Sequence, residues 1–389
     1  MQPIGRFRNG PSVVLITGQP GSGYVICSRY SEIERDFPHL PLGCTIQLEP
    51  IAKEYILQNI AGYINSFRKE RIIQTIRQFE QNFSEPLTLG NFLRLTHIPL
   101  DKLYHGTTWN SLCHMAGVSD EESQLNEELS RAVSKKWLST DSYSYFSFIH
   151  SLATRHFEVS EDLLTAKEKK MALMLYYDLY NSAGEYDSLQ QMFKRLSEDE
   201  IFVHEIEEVT EVMMARCNAL EEEDNSVFKK TFPLKLHGVY TKAQIQVAIG
   251  TSTIARKSSG REGCERNTLN GVPMEAMFVD IIKDREVGSS TNYNDFAQSV
   301  VKFHWESQNR TSQKSSTGQS YINGEREMLL FVRKQQNAAE DTSRTLGYVY
   351  LGKVTLDRYE GNSPMQIVWK LESPMPGAVY EYAATLANA

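Results

Sequence analysis

The chain has 389 residues, 41% hydrophobic and 23% charged, with a net charge of −8; this length holds two or three domains and the composition excludes collagenous, coiled-coil and disordered classes. No stretch reaches the roughly 20 apolar residues of a membrane helix and the first residues lack a signal peptide's apolar core, so a cytoplasmic protein with no membrane partner is expected. Residues 231–389 carry a net +2 and residues 1–230 a net −10, a split that suits a DNA-facing C-terminal domain on an acidic body.

Residues 11–26, PSVVLITGQPGSGYVI, read as a strand broken by a glycine-rich turn. Gly18, Gly21 and Gly23 are followed by Tyr24 and Val25; without the Lys that reaches phosphate oxygens, this is not a phosphate-binding loop. From residue 50 to about 220 the spacing turns helical, with Ile51, Tyr55, Ile56 and Ile60 on one face. Capping boxes are expected at Ser119/Glu122, Thr165/Glu168 and Ser197/Glu200. Residues 87–118 form two short apolar-periodic segments around a turn, read as helix packing ahead of DNA docking. Within them His105, Cys113 and His114 match no metal-ligand spacing and are read as structural. The acidic run after the last helix predicts a solvated linker at residues 221–226.

After Phe232 the period becomes two. Residues 240–252 predict a helix, and residues 275–283, 301–308, 327–335, 346–361 and 364–374 predict strands. The fold class is therefore α+β, an acidic all-helical middle domain followed by a β-rich curved sheet or partly open barrel. Domain bounds are set at 1–49, 50–226 and 227–389. Five scattered cysteines, Cys27, Cys44, Cys113, Cys217 and Cys264, point to reduced, mostly buried thiols.

Residues 291–324 concentrate aromatic, amide and hydroxyl groups, the mixture that holds a planar polar ligand and a phosphate backbone. Tyr293, Trp305 and Tyr321 are nominated for stacking; Asp295, Gln308, Asn309 and Gln319 for base edges; Arg310, Thr311, Ser312 and Lys314 for phosphates. Strand spacing leaves a second reading open for Trp305, as a core residue beside Phe303 with His304 and Glu306 facing solvent. Arg333 and Lys334 end an apolar strand as a charge pair. No nucleophile–base pattern occurs, and Asp280 and Asp284 lack the E-x-K companion of a nuclease core. A catalytic role, a metal and a cofactor are therefore not expected.

In this order, FPLKLHGVYTKAQI, TNYNDFAQSVVKFHWESQNRTS, STGQSYI, LLFVRK, YLGKV and EGNSPMQIVWKLESPMP resemble the uncharacterised C-terminal domain that closes many bacterial DEAD/DEAH-type superfamily 2 helicases. Residues 36–60 and the WNSLCHMAG segment resemble the helical region that precedes it, and residues 2–18 a worn last helicase motif, making residues 1–49 a remnant of the motor lobe and linker. Some relatives are modification-dependent restriction enzymes whose last domain is likened to SRA or PUA-like readers of modified cytosine. The resemblance implies a non-catalytic DNA reader in antiviral defence, with base flipping as the expected mode of reading, partnered by a helicase or nuclease subunit and open to oligomer formation. Carried over by position are Phe303, His304, Trp305, Ser307, Gln308, Thr311, Ser312, Thr317, Gly318, Gln319 and Tyr321. The nominated DNA-binding set is Tyr293, Asp295, His304, Trp305, Ser307, Gln308, Arg310, Thr311, Ser312, Gln319, Tyr321 and Arg333. Ser320 stands where the family commonly has Arg, and the ATP-binding and DEAD-box motifs are missing. The competing expectation is a scaffold or regulatory subunit that binds a separate motor or nuclease through its acidic helical body.

Overall fold

A computed structural model describes residues 68–224, 226–260, 263–283, 294–339 and 341–384. The glycine-rich turn at residues 11–26, the 1–49 segment, the helical face at Ile51–Ile60, Cys27, Cys44, Asp284 and Tyr293 lie outside the described residues. The chain divides into two compact units, Met1–Glu122 and Ser123–Ala389.

In the first unit, α1 (Lys69–Arg77), α2 (Phe79–Asn82), α3 (Leu89–Thr96), α4 (Leu100–Leu103) and α5 (Trp109–Ala116) are short. α1 packs on α5. Phe92 sits between Phe79 and Trp109, with ring centroids 5.9 and 4.9 Å away. Thr88 and Thr108 accept from the backbone N–H three residues on and start α3 and α5, and Arg77 Nε donates to the Ala116 carbonyl at the far end of α5. The apolar periodicity of residues 87–118 is thus spent on this core. The box expected at Ser119 does not form: Glu122 accepts from Ser111 at 2.6 Å instead of turning back on a helix start.

The second unit opens with α6 (Asn126–Lys135), a 3-10 turn (Trp137–Ser139), α7 (Tyr143–Ala153), α8 (Ala166–Tyr180), α9 (Leu189–Ser197) and α10 (Glu200–Arg216). The Thr165/Glu168 box caps α8 as expected. α10 is capped by Asp199, whose carboxylate accepts from Phe202 N at 2.9 Å; it sits two residues nearer the helix than Ser197, directly before Glu200, and takes the cap position. Asp178 on α8 is fully buried, and one of its oxygens accepts from Trp137 Nε1, Tyr145 Oη and Gln244 Nε2 at 2.7–2.9 Å. That single carboxylate ties the helical layer together.

The linker expected to be solvated is instead a strap. Asp141 accepts from Asn218 and Ala219 N–H groups, Glu221 accepts from Ser144 N, and buried Asp224 accepts from Tyr350 Oη at 3.1 Å. Glu221 and Asp224 are taken up by backbone and phenol donors, which local sequence does not reveal, while Glu222 and Glu223 stay exposed as expected.

Beyond it come β1 (Val239–Tyr240), α11 (Lys242–Ala248), β2 (Cys264–Leu269), β3 (Val272–Ile282), β4 (Phe296–Ser299), β5 (Lys302–Glu306), α12 (Ser316–Asn323), β6 (Glu327–Gln335), β7 (Tyr348–Gly361), β8 (Met365–Leu371) and α13 (Gly377–Ala384). The eight strands form one mixed sheet ordered β2-β3-β6-β7-β8-β5-β4, with β1 on β7. β3 and β6 run parallel and the other pairs are antiparallel. The edge strands β2 and β4 do not pair, so the sheet is not closed, and the fold class is α+β. Continuous apolar runs make β3 and β6 buried on both faces, as central strands require.

One face carries Met277, Leu330, Leu351, Phe303, Trp305, Ile367 and Trp369, closed over by Tyr321 of α12 and by Val379 and Ala383 of α13. α13 packs on both β4 and β6, which lie far apart in strand order, so the sheet curves around this core. The other face stacks Phe331 between Phe278 and Tyr350, at 5.6 and 4.9 Å, and is covered by α11, itself packed on α8. β2, β4, α12 and α13 were not read from the sequence: the first three are short and at least half polar, and α13 is only two turns long.

Candidate nucleic-acid interface

Strand β5 places the central nominees. Phe303 and Trp305 point into the core, with Trp305 5% exposed and its ring 5.7 Å from Tyr321 and 6.3 Å from Trp369. The alternation of a half-buried strand fixes this outcome. Tyr321 is also sealed: its hydroxyl donates to Glu275 at 2.8 Å, and Arg266 holds the other oxygen of that carboxylate at 2.7 Å. Neither ring is presented outward for a base. His304 does not face solvent either; Phe296 stacks on it at 4.7 Å and its Nδ1 lies 2.8 Å from the Asn294 carbonyl.

Asp295 is buried, accepting from Lys283 Nζ at 2.8 Å and from Glu306 N at 2.9 Å. Burial raises its pKa above the usual carboxylate range, and Lys283 works against the shift. Arg333, expected in a solvated pair with Lys334, is 7% exposed: it forks onto Asp280 and lies 4.2 Å from the centre of the Tyr348 ring. The fork satisfies both ions at once, so Asp280 serves as a structural anion.

The remaining nominees form a loop at residues 307–319 whose backbone is pinned along its length. Ser307 N donates to the Met365 carbonyl and its Oγ accepts from Met365 N, both at 2.9 Å. Thr311, buried, accepts from Ser363 N at 3.2 Å through its carbonyl. Gln313 bonds to Asn362 Oδ1 and the Gly361 carbonyl at 2.9 and 2.8 Å. Ser315 caps α12, and the Ser312 carbonyl accepts from it. Gly318 is required by close approach: a Cβ there would run into the Ser312 carbonyl oxygen and the Met365 sulfur.

What this loop shows to solvent is Arg310, Lys314, Gln319 and Asn309, with Gln308 and Ser312 half-buried. Arg310 Nε donates to Gln308 Oε1 at 3.3 Å and Gln319 Nε2 to the Gln313 carbonyl at 2.6 Å, so guanidinium and amides are held side by side. Ser320, where the resembled family has Arg, is 6% exposed and faces the packing. Sequence reasoning missed Asn362, Gly361 and Met365, the β7–β8 turn that pins the loop from about 50 residues downstream; no local signal marks them. Among the described residues no three His, Cys, Asp or Glu side chains are placed to share a metal ion, and no helix is long and apolar enough to cross a membrane.

A family model described as a domain of unknown function (DUF3427) matches residues 234–383. No curated protein and no solved structure matches the chain.

Proposed function

We propose that this chain is a non-catalytic nucleic-acid-recognition module for a helicase or nuclease assembly, and that it grips the DNA backbone with residues 307–319. The observation that carries this reading is a loop fixed at both ends that presents Arg310, Lys314 and Gln319 to solvent. A pre-shaped loop loses little conformational entropy on binding, and guanidinium, ammonium and amide donors suit phosphate oxygens. Nearly all of the motifs that resemble the helicase C-terminal domain fall in the stretch matched by the family model, residues 234–383, which fits a helicase-associated role; the part in bacterial defence comes from the resemblance alone.

The modified-cytosine reading, with an SRA or PUA-like pocket and a flipped base, came from the resemblance; beside Tyr293, which lies outside the described residues, it drew on two stacking rings, Trp305 and Tyr321. With both in dry packing, the proposal narrows from base readout to backbone contact. Backbone contacts position a protein without specifying sequence.

Fluorescence anisotropy with plain duplex, cytosine-modified duplex and single-stranded oligonucleotides tests it. Binding that falls steeply with salt is expected, and Arg310→Ala with Lys314→Ala is expected to reduce the log–log salt slope by about 2 for a duplex, near 0.9 per phosphate contact. A wild-type chain that ignores every oligonucleotide at low salt, or a folded double variant that binds unchanged, overturns the proposal.

A further inference from the structure

Three segments far apart in sequence bring their cations to the ends of α6 and α8. Arg131 Nη1 on α6 donates to the Leu179 carbonyl at the end of α8 at 2.9 Å, and Lys257 Nζ donates to the Asn181 carbonyl, two residues on, at 2.6 Å. Lys135, at the end of α6, donates to Ser343 Oγ at 2.6 Å, and Arg344 donates to the Leu138 carbonyl at 3.0 Å. Lys136 stands between these contacts in sequence. Its ammonium makes no hydrogen bond among the described residues.

Two helix ends account for part of this gathering, since backbone carbonyls at a C-terminus favour positive charge. They do not account for Lys136. Burial lowers its pKa first, Asp178 opposes the shift, and Arg131 adds to it by repulsion; Lys257 is lowered by burial and then by Lys136. Carboxylates lie among these five cations: Glu127 is 3.3 Å from Arg131, Asp341 is 4.0 Å from Lys135 and also feels Arg344, and the buried Asp178 faces Lys136. Exposed Arg256 lies in the same turn as Lys257. A half-buried ammonium that has no hydrogen-bond partner among the described residues, faces the buried Asp178 and is repelled by Arg131 is an arrangement that an added anion relaxes.

We propose that Arg131, Lys135, Lys136, Lys257 and Arg344 form a second phosphate-binding surface that takes nucleic-acid backbone. The inference rests on the reading of the chain as a nucleic-acid module but uses different residues. Arg344 precedes β7 while the loop at residues 307–319 is tied to its far end, up to about 40 Å away for an extended strand of that length. The surface draws on the helical layer and the sheet together, so it exists only in the folded unit.

The experiment uses the full chain carrying Lys136→Met and Lys257→Gln, beside Arg310→Ala with Lys314→Ala. The cluster variant is expected to stay folded, since relief of burial and repulsion offsets the loss of the Lys257 bonds to Asn181 and of the Lys136 charge facing Asp178, and its melting curve checks this. Its duplex affinity should fall by about tenfold or more at moderate salt, with a salt slope reduced by about 2. If wild type binds duplex, the loop variant is weakened and the folded cluster variant is not, this inference falls and the loop reading stands. If only the cluster variant is weakened, the loop assignment falls and the cluster stands. Inorganic phosphate and pyrophosphate form the last arm: a thermal shift from these anions that duplex DNA does not displace would assign the cluster to a small phosphate ligand and overturn the proposal.

Discussion

Arg333 clamps Asp280 with both edges of its guanidinium, Nε at 2.7 Å from one carboxylate oxygen and Nη2 at 2.9 Å from the other. The two residues face each other across the parallel β3–β6 pair. The third nitrogen, Nη1, donates to the Leu346 carbonyl at 3.0 Å, so one side chain joins two central strands and steadies the turn that carries Arg344.

Replacing it with Leu leaves a partly buried carboxylate and a backbone carbonyl without their donor. Arg333→Leu is expected to cost about 2–4 kcal/mol in urea denaturation. Arg333→Lys should recover only part of that, since an ammonium cannot make the fork.

Trp305→Ala is expected to destabilise the chain by about 3–5 kcal/mol, because the indole fills the core between Tyr321 and Trp369. Chemical denaturation measures this directly. An alanine variant that keeps wild-type stability would mean that the ring is not packed as described.

Gly318→Ala forces the Ser312 carbonyl or Met365 to give way, and about 1–3 kcal/mol of stability should be lost. Thermal melting reads the loss. Because the same displacement moves the pinned loop, DNA affinity should drop more in this variant than in Gly324→Ala, at the exposed end of α12.

Burial pushes the Asp178 carboxyl up to about 6, against the pull of its hydrogen bonds from Tyr145, Gln244 and Trp137 and of Lys136. Unfolded, it titrates near 4. The folded state therefore holds the proton more tightly, and the stability this group contributes is complete below about pH 4 and lost as pH rises through about 6. Asp178→Asn keeps an acceptor for the three donors and removes the charge. Unfolding midpoints measured across that window should fall with pH more in wild type than in the variant; parallel curves would refute the assignment.

Much of the architecture was legible from periodicity. β3, β5, β6, β7 and β8, α11 and the capping box on α8 follow from apolar alternation and side-chain caps, which are properties of neighbouring residues. The strap at residues 217–224 was not legible, because whether an acidic run is solvated depends on donors brought in from Ser144, Tyr240 and Tyr350. α12 was hidden for a related reason. Its polar composition reads as loop, and the helix is held by the Ser315 cap and the packing of Tyr321.

For the site, sequence marked the segment at residues 291–324 as unusual but left the facing of its rings open. Period two says that Trp305 shares a face with Phe303; which face is covered was decided by α12 and α13 closing over it. Summed charge likewise placed the acid in the first part of the chain, yet Arg131, Lys135 and Lys136 from that part meet Lys257 and Arg344 only after the chain folds. Local patterns determine elements because they act over a few residues, whereas burial and electrostatic fields are set by groups hundreds of residues apart.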